Sequence, residues 1–465
     1  MFVTVKARVY TDATGVYTEI PTLLTPAGVL EPLLDYYLYR SHVRSLTWMT
    51  KVARSVRMIL EYLQTNPEES DSFRLFQNFA QRLYTGTFDR ETGLDPSGLC
   101  WPPRSPQDAS HIITHLTDFF DWLTELYPEA ARMNPLYAGG RFDRQTADIA
   151  YQYRRDKAFL GHTWAANASP FETRHRLLGR LQPKVEKSEP PAFPDERFEE
   201  LLDKGFYFGG RHDYRGMLIT LLLHGAGFRE SEPFHLFIQD VIPDPTNNSS
   251  AKVFIHHPTH GSAPEDWRDE RGKIRKGNRA EYLGNQFGLV PRTAIMGHRH
   301  AGWKGGIHDG PYYKHAYWFL PEYGERFLYF WHRYLEQVAR VDRDHPFAFI
   351  NLSREPVGGM YTLTQYNKAH AAACERIGLN VGKALGTTPH GHRHAYGRRL
   401  RNAGIDKALI RRFMHHASLE SQEVYTQPTH REVLAAMEKG ARQLRDKYGW
   451  ITTAFGALPN TKLTD

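Results

Sequence analysis

Cysteine is nearly missing from this chain: Cys100 and Cys374 are the only two among 465 residues. Two thiols so far apart cannot form a disulfide framework, and such sparse usage points to a reducing compartment. Long apolar runs are also missing. None approaches the roughly 18 residues that span a bilayer, so no membrane association is expected. A charged stretch followed by an apolar one, the mark of a secretory signal, does not open the chain. A cytoplasmic location is the expectation. Internal repeats and low-complexity tracts are absent too.

What is present is ordinary in amount and uneven in placement. The apolar share of 41%, with 13% aromatic, is enough to bury a substantial core. The length suggests two or three domains. Net charge is +7 and the pI is near 9.1, compatible with nucleic acid and with much else. Residues 381–449 hold 13 Lys and Arg against 6 Asp and Glu, an excess equal to that of the whole chain. A solvated helix face is the bland reading of such a run; a surface for phosphates is the sharper one.

The pattern along the chain predicts a mainly α fold with a small β-hairpin, of the α+β class. Residues 1–25 alternate at Val3, Val5, Ala7 and Val9, predicting a short strand or hairpin extension. Residues 26–165 carry four amphipathic segments and predict a helical domain. Prolines in S-E-P-P-A-F-P close a linker over 166–195, since proline denies hydrogen bonds to any helix. Residues 196–465 form the remaining domain. Within it, 251–258 reads as the first strand of a hairpin and 315–321 as its return, with a helix over 322–338. The interval 259–314 is polar, Gly-rich and basic, with Trp267 and Trp303 among its few aromatics, and predicts no regular element. A terminal amphipathic helix is expected over 430–449.

Four short segments carry the chemistry: Arg229 in G-F-R-E-S-E, T-P-H-G-H-R-H at 388–394, His416 in M-H-H-A-S, and Tyr425 in E-V-Y-T. His390 and Arg393 are one helical turn apart and share a face. The helix that carries them is predicted to end at Asn402-Ala403-Gly404, where glycine suits a left-handed cap. A second should start near Asp406, with Leu409, Ile410 and Phe413 on one face, and return His416 beside Arg393. Two guanidiniums offer paired donors to phosphate oxygens at any relevant pH. Tyrosine supplies a phenolic nucleophile whose unperturbed pKa is about 10, so attack needs its proton removed or its phenolate stabilised, and His390 could serve as that base. Taken singly, each residue has a duller explanation. Arg229 could simply pair with Glu232 one turn on, and 24 histidines make any one of them unremarkable. The joint spacing is what carries weight.

Residues 388–426 resemble the C-terminal box of the tyrosine recombinases, the phage-integrase family, and L-L-L-H-G-A-G-F-R-E-S-E-P-F-H-L at 221–236 resembles its first arginine box. The resemblance implies a two-lobed clamp, with a helical core-binding domain and a mixed catalytic domain. It implies a site-specific recombinase that cleaves and rejoins DNA through a 3′-phosphotyrosyl bond on Tyr425. Arg229, Arg393, His390 and His416 would be its other catalytic residues, with Glu232 and His394 in support. No metal or nucleotide cofactor is needed in such chemistry. Double-stranded DNA with inverted half-sites, a tetramer on DNA, possible accessory recombination proteins and association with the nucleoid follow from the same likeness. The family also places a lysine general acid in the hairpin. G-W-K-G at 302–305 best resembles that turn and favours Lys304, with Lys314 next and Lys273 and Lys276 behind.

The chain departs from the family pattern at three points. Arg229 and His390 are 161 residues apart, so the hairpin is enlarged over about 259–314, as in a subset of mobile-element recombinases. His415 stands where glycine is usual, and His392 where leucine is usual. The terminal helix could dock on a neighbouring protomer, as in the family, or on its own domain. Three rival readings differ in what they predict. A type IB topoisomerase would relax any supercoiled plasmid. A silent DNA-binding member of the fold would form no covalent complex. A zinc hydrolase built on His390, His392 and His394 would purify with stoichiometric metal.

Overall fold

Alternation at the front of the chain does produce sheet. In the computed structural model, which describes residues 2–10, 17–127, 133–135, 190–269, 271–417 and 437–443 with isolated positions elsewhere, β1 (Val3–Tyr10) pairs antiparallel with β2 (Tyr17–Thr25). A short β3 (Gly28–Val29) closes this three-stranded sheet. The chain divides into two units, residues 1–185 and 186–465.

The first unit adds four helices: α1 (Glu31–Arg40), α2 (Leu46–Thr65), α3 (Ser72–Thr85) and α4 (Pro106–Leu126). Their starts are written in the sequence. Ser45, Asp71 and Ser105 each cap a helix by accepting backbone N–H groups of its first turn, and Pro106 sits where a missing N–H costs nothing. In α2, Val52, Val56 and Ile59 fall at helical spacing and are buried. They join Ile20 and Leu23 of β2, with Tyr36, Phe76, Phe79 and Leu116, in one core.

The second unit is built around α5 (Tyr214–Ala226). Every residue from Gly216 to Ala226 is buried, as expected of a helix apolar on all sides. Two two-residue strands, β4 (Tyr207–Phe208) and β5 (Arg211–His212), precede it. Against it pack α7 (Pro321–Val338) and α9 (Pro389–Asn402), and α7 in turn packs on a three-stranded sheet, β6 (Val241–Asp244), β7 (Asn247–His256) and β8 (Tyr313–His315). α8 (Leu363–Arg376) starts at a Thr362–Gln365 capping box. α10 (Lys407–Phe413) is capped by Asp406.

Four sequence expectations need correction. The return strand is not 315–321 but the three residues Tyr313–His315, because at Trp318 the indole N–H rather than the backbone bonds to β7, at Ala251 O, and Phe319 N donates to Gly225 O of α5 instead. The tight partner of β7 is β6, on the other side. Leu409 is 47% exposed, so only Ile410 is fully buried in α10, against Tyr396, Leu400 and Met414. The interval 259–314 is not formless. It contains α6 (Arg279–Phe287), whose cap Asn278 accepts from Glu281 N at 2.9 Å. Trp267, Tyr282 and Leu283 of this interval form a small core with Phe237, Phe347 and Met360. Buried Arg279 pairs with Asp240 and donates to the His235 and Ser262 carbonyls, which fixes the segment to the unit.

Candidate active site

α5 ends at Gly227, whose φ of +67° no side chain adopts cheaply. A Cβ there would also lie 2.3 Å from the Tyr396 ring on α9. This close crossing of α5 and α9 delivers Arg229 and Arg393 to the same place. Arg393, only 3% exposed, donates to Gly227 O just beyond α5 and to Met414 O beyond α10, the latter at 2.6 Å. One guanidinium thereby ties together three chain segments that are distant in sequence.

Arg229 is positioned from below by Glu232. Its backbone N–H donates to Oε2 at 2.8 Å and its Nη1 to Oε1 at 3.0 Å. Lys314 on β8 donates to the same Oε1 at 2.6 Å. Neither Glu232 nor Lys314 has any exposed side-chain area. Burial alone would push the Glu232 carboxyl up; Lys314, Arg229 and Arg393 instead hold it well below the carboxylate range. Burial also lowers the Lys314 pKa, against the pull of Glu232. The Lys314 ammonium lies 4.3 Å from the Trp303 ring centre.

Two histidines face the cations. Burial, then the charges of Arg393, Arg229, His415 and Lys304, bring His416 down to about 3. Desolvation, then Arg393, Lys383, Arg229 and Lys304, bring His390 to about 4. Both are therefore neutral at pH 7, each with one ring N–H and one acceptor nitrogen. His394 stands edge-on to His390, with ring centres 4.4 Å apart. Lys304 is exposed, and its charge reaches both His390 and His416. Its backbone carbonyl accepts from Lys314 at 3.4 Å.

Arg229, Arg393 and Lys304 thus act together on His390 and His416, and both arginines also act with Lys314 on buried Glu232; this cluster is the candidate basin. Tyr425 and most of the expected 430–449 helix lie outside the described residues; 437–443 is helical. His392 is not part of the basin. It lies beneath α9, 3.0 Å from His224 and 2.7 Å from His370, ring nitrogen to ring nitrogen. Lys273 is exposed in the interval before α6, where its N–H donates to Asp269. Among the described residues no group of three or more His, Cys, Asp or Glu is placed to hold a metal ion. Among them, too, no helix is long and apolar enough to cross a membrane.

Residues 324–432 match the Phage integrase family model, a span that runs from within α7 through α10 and includes Tyr425. Over that span the chain carries a phage integrase domain. Among curated relatives it is similar to tyrosine recombinase XerA of Pyrococcus horikoshii, 23% identical over 257 residues, 55% of this chain and 64% of that protein. The chain therefore spans just under two thirds of that relative's length. Tyrosine recombinase XerC of Pediococcus pentosaceus is 23% identical over 341 residues, 72% of this chain and 89% of that protein. Among solved structures, XerH site-specific recombinase bound to its difH substrate aligns with a TM-score of 0.45 at 14% identity, covering 87% of this chain and 83% of that one.

One supporting residue of this site was only a runner-up by sequence, and another was not evident from it. Lys314 ranks second in the hairpin by motif, and only its buried pairing with Glu232 marks it as part of the site's foundation. Asp309, which accepts from His415, carries no sequence signal, because H-D-G-P reads as an ordinary turn.

Proposed function

We propose that this chain is a site-specific DNA recombinase that cleaves and rejoins DNA through a phosphotyrosyl bond on Tyr425. The observation that carries the reading is the convergence of Arg229 and Arg393 over a buried carboxylate, with two neutral histidines beside them. In the reaction, both guanidiniums engage non-bridging oxygens of the scissile phosphate and balance the charge that grows in the phosphorane. The Tyr425 hydroxyl attacks phosphorus, and its proton passes to the acceptor nitrogen of His390. His416 gives its ring N–H to a phosphate oxygen. The P–O5′ bond breaks, and the exposed ammonium of Lys304 protonates the leaving 5′-oxygen. Lys314, locked to Glu232, instead fixes the floor that orients Arg229. Attack by another strand's 5′-hydroxyl reverses the steps, with His390 returning the proton to Tyr425.

The bond energy stays in the phosphotyrosine, so the cycle consumes no nucleotide. Inverted half-sites and a tetramer on DNA accord with exchange between two duplexes. The first unit supplies the core-binding lobe in this reading. Specificity resides in groove contacts and in DNA deformability.

The test is to lyse cells expressing the chain in denaturant, capture the protein and sequence the DNA ends that stay attached. Ends clustered at one locus for the wild type, and none for Tyr425→Phe, are expected. Scattered ends would mark a topoisomerase, and equal recovery from Tyr425→Phe would exclude Tyr425 as the nucleophile.

A further inference from the structure

The turn that closes α10 has an unusual occupant. His416 N donates to Arg411 O at 2.9 Å and His415 N to Arg412 O at 3.0 Å, the paired bonds of a Schellman motif. His415 occupies its left-handed position with φ of +51°. Glycine ordinarily fills that position, because a Cβ is strained there. The neighbours of His415 in the chain are the parts that matter to the site. Met414 O accepts from Arg393, and His416 faces the basin.

His415 is fully buried and held from two sides. Its ring stacks on Phe228, the residue before Arg229, with centres 5.5 Å apart and planes 17° from parallel. Its Nε2 lies 2.8 Å from Asp309 Oδ2. Asp309 is 5% exposed and also accepts from His315 N on β8 at 2.8 Å and from the Tyr317 hydroxyl at 2.7 Å. Arg412 Nε of α10 stands 3.6 Å from its other oxygen. Gly306 closes the same contact, since a Cβ there would come within 2.2 Å of His415 O. Asp309 and Gly306 both belong to the interval that enlarges the hairpin. The enlarged interval and the histidine at a glycine position therefore meet in one hydrogen bond.

We infer that Asp309 is a positioning residue for strand cleavage. It holds the strained His415 turn and, through it, the Met414 carbonyl and His416 beside Arg393. The enlarged hairpin is then part of the catalytic framework, and its docking is a condition for an assembled site. This rests on the recombinase reading above.

The experiment compares wild type with Asp309→Ala, His415→Gly and the double variant, each as the full chain in cells. Denaturant-resistant covalent DNA reports cleavage, and formaldehyde-crosslinked DNA reports occupancy. Asp309→Ala is expected to lower covalent yield at least about tenfold with occupancy held within about twofold, as a misplaced catalytic group does. With glycine at 415 the turn is relaxed, so adding Asp309→Ala to His415→Gly should change covalent yield less than about threefold. If Asp309→Ala does not accumulate, Asp309→Asn, of equal volume, carries the same comparison. Unchanged covalent yield, equal loss of yield and occupancy, or full additivity in the double variant would each overturn the inference. An absence of covalent DNA from the wild type would instead remove the recombinase reading, and the inference with it.

Discussion

Glu232 is a single carboxylate between two cations, and burial makes that arrangement demanding. Replacing it with glutamine leaves the Lys314 ammonium enclosed without a counter-charge and Arg229 without its anchor. Breaking a buried pair in this way costs about 3–5 kcal/mol, so Glu232→Gln should shift the denaturant midpoint of the second unit strongly. A loss below about 1 kcal/mol would mean that the pair is solvated. The two histidines beside the arginines, His390 and His416, make a separate prediction. In the free protein His390 should titrate near 4 and His416 near 3, well under the ordinary value of about 6.5. Because neighbouring cations help to lower both, an anion bound between Arg229 and Arg393 should raise both. Proton NMR of the histidine rings, with and without orthovanadate, checks this; a free-state value near 6.5 for His390 would contradict it.

At the scale of elements, the crossing of α5 and α9 makes the site. Gly227→Ala adds a left-handed penalty of about 1–2 kcal/mol to a clash with the Tyr396 ring. The variant should lose stability and covalent activity together, read from its denaturation midpoint and its DNA adduct yield. How far such elements can be read from sequence follows from how local their causes are. The Gly404 stop, the Asp406 cap and the turn between α9 and α10 are short-range signals, so the spacing of Arg393 and His416 is legible. The hairpin's return strand is not, because Trp318 and Phe319 look like strand residues and are drawn off by tertiary packing. α6 carried a readable cap in Asn278-x-x-Glu281, masked by its polar surroundings. The His415–Asp309 bond joins positions 106 residues apart, and no local pattern announces it.

At the scale of the whole molecule, each unit has its own core. A fragment of residues 190–465 should therefore unfold cooperatively on its own in a calorimeter; a molten fragment would contradict that division. The second unit also stores neutral histidines in its interior. Burial lowers His235 and His370 to about 3, and His224 and His392 well below their usual range. In the unfolded chain these rings take up protons near 6.5. Their contribution to stability is then complete above about pH 6.5 and is lost as pH falls from there toward the folded values. The melting temperature should drop steadily between pH 6.5 and about 4, ahead of most carboxylate titration; a flat profile over that window would contradict the buried network.

The most direct test of the central claim is a mass measurement. The protein would be recovered from cells in denaturant, digested with nuclease and protease, and its peptides sequenced by tandem mass spectrometry. A 3′-phosphonucleotide remnant is expected on the peptide containing Tyr425, localised to that tyrosine. A remnant on any other residue would contradict the central claim.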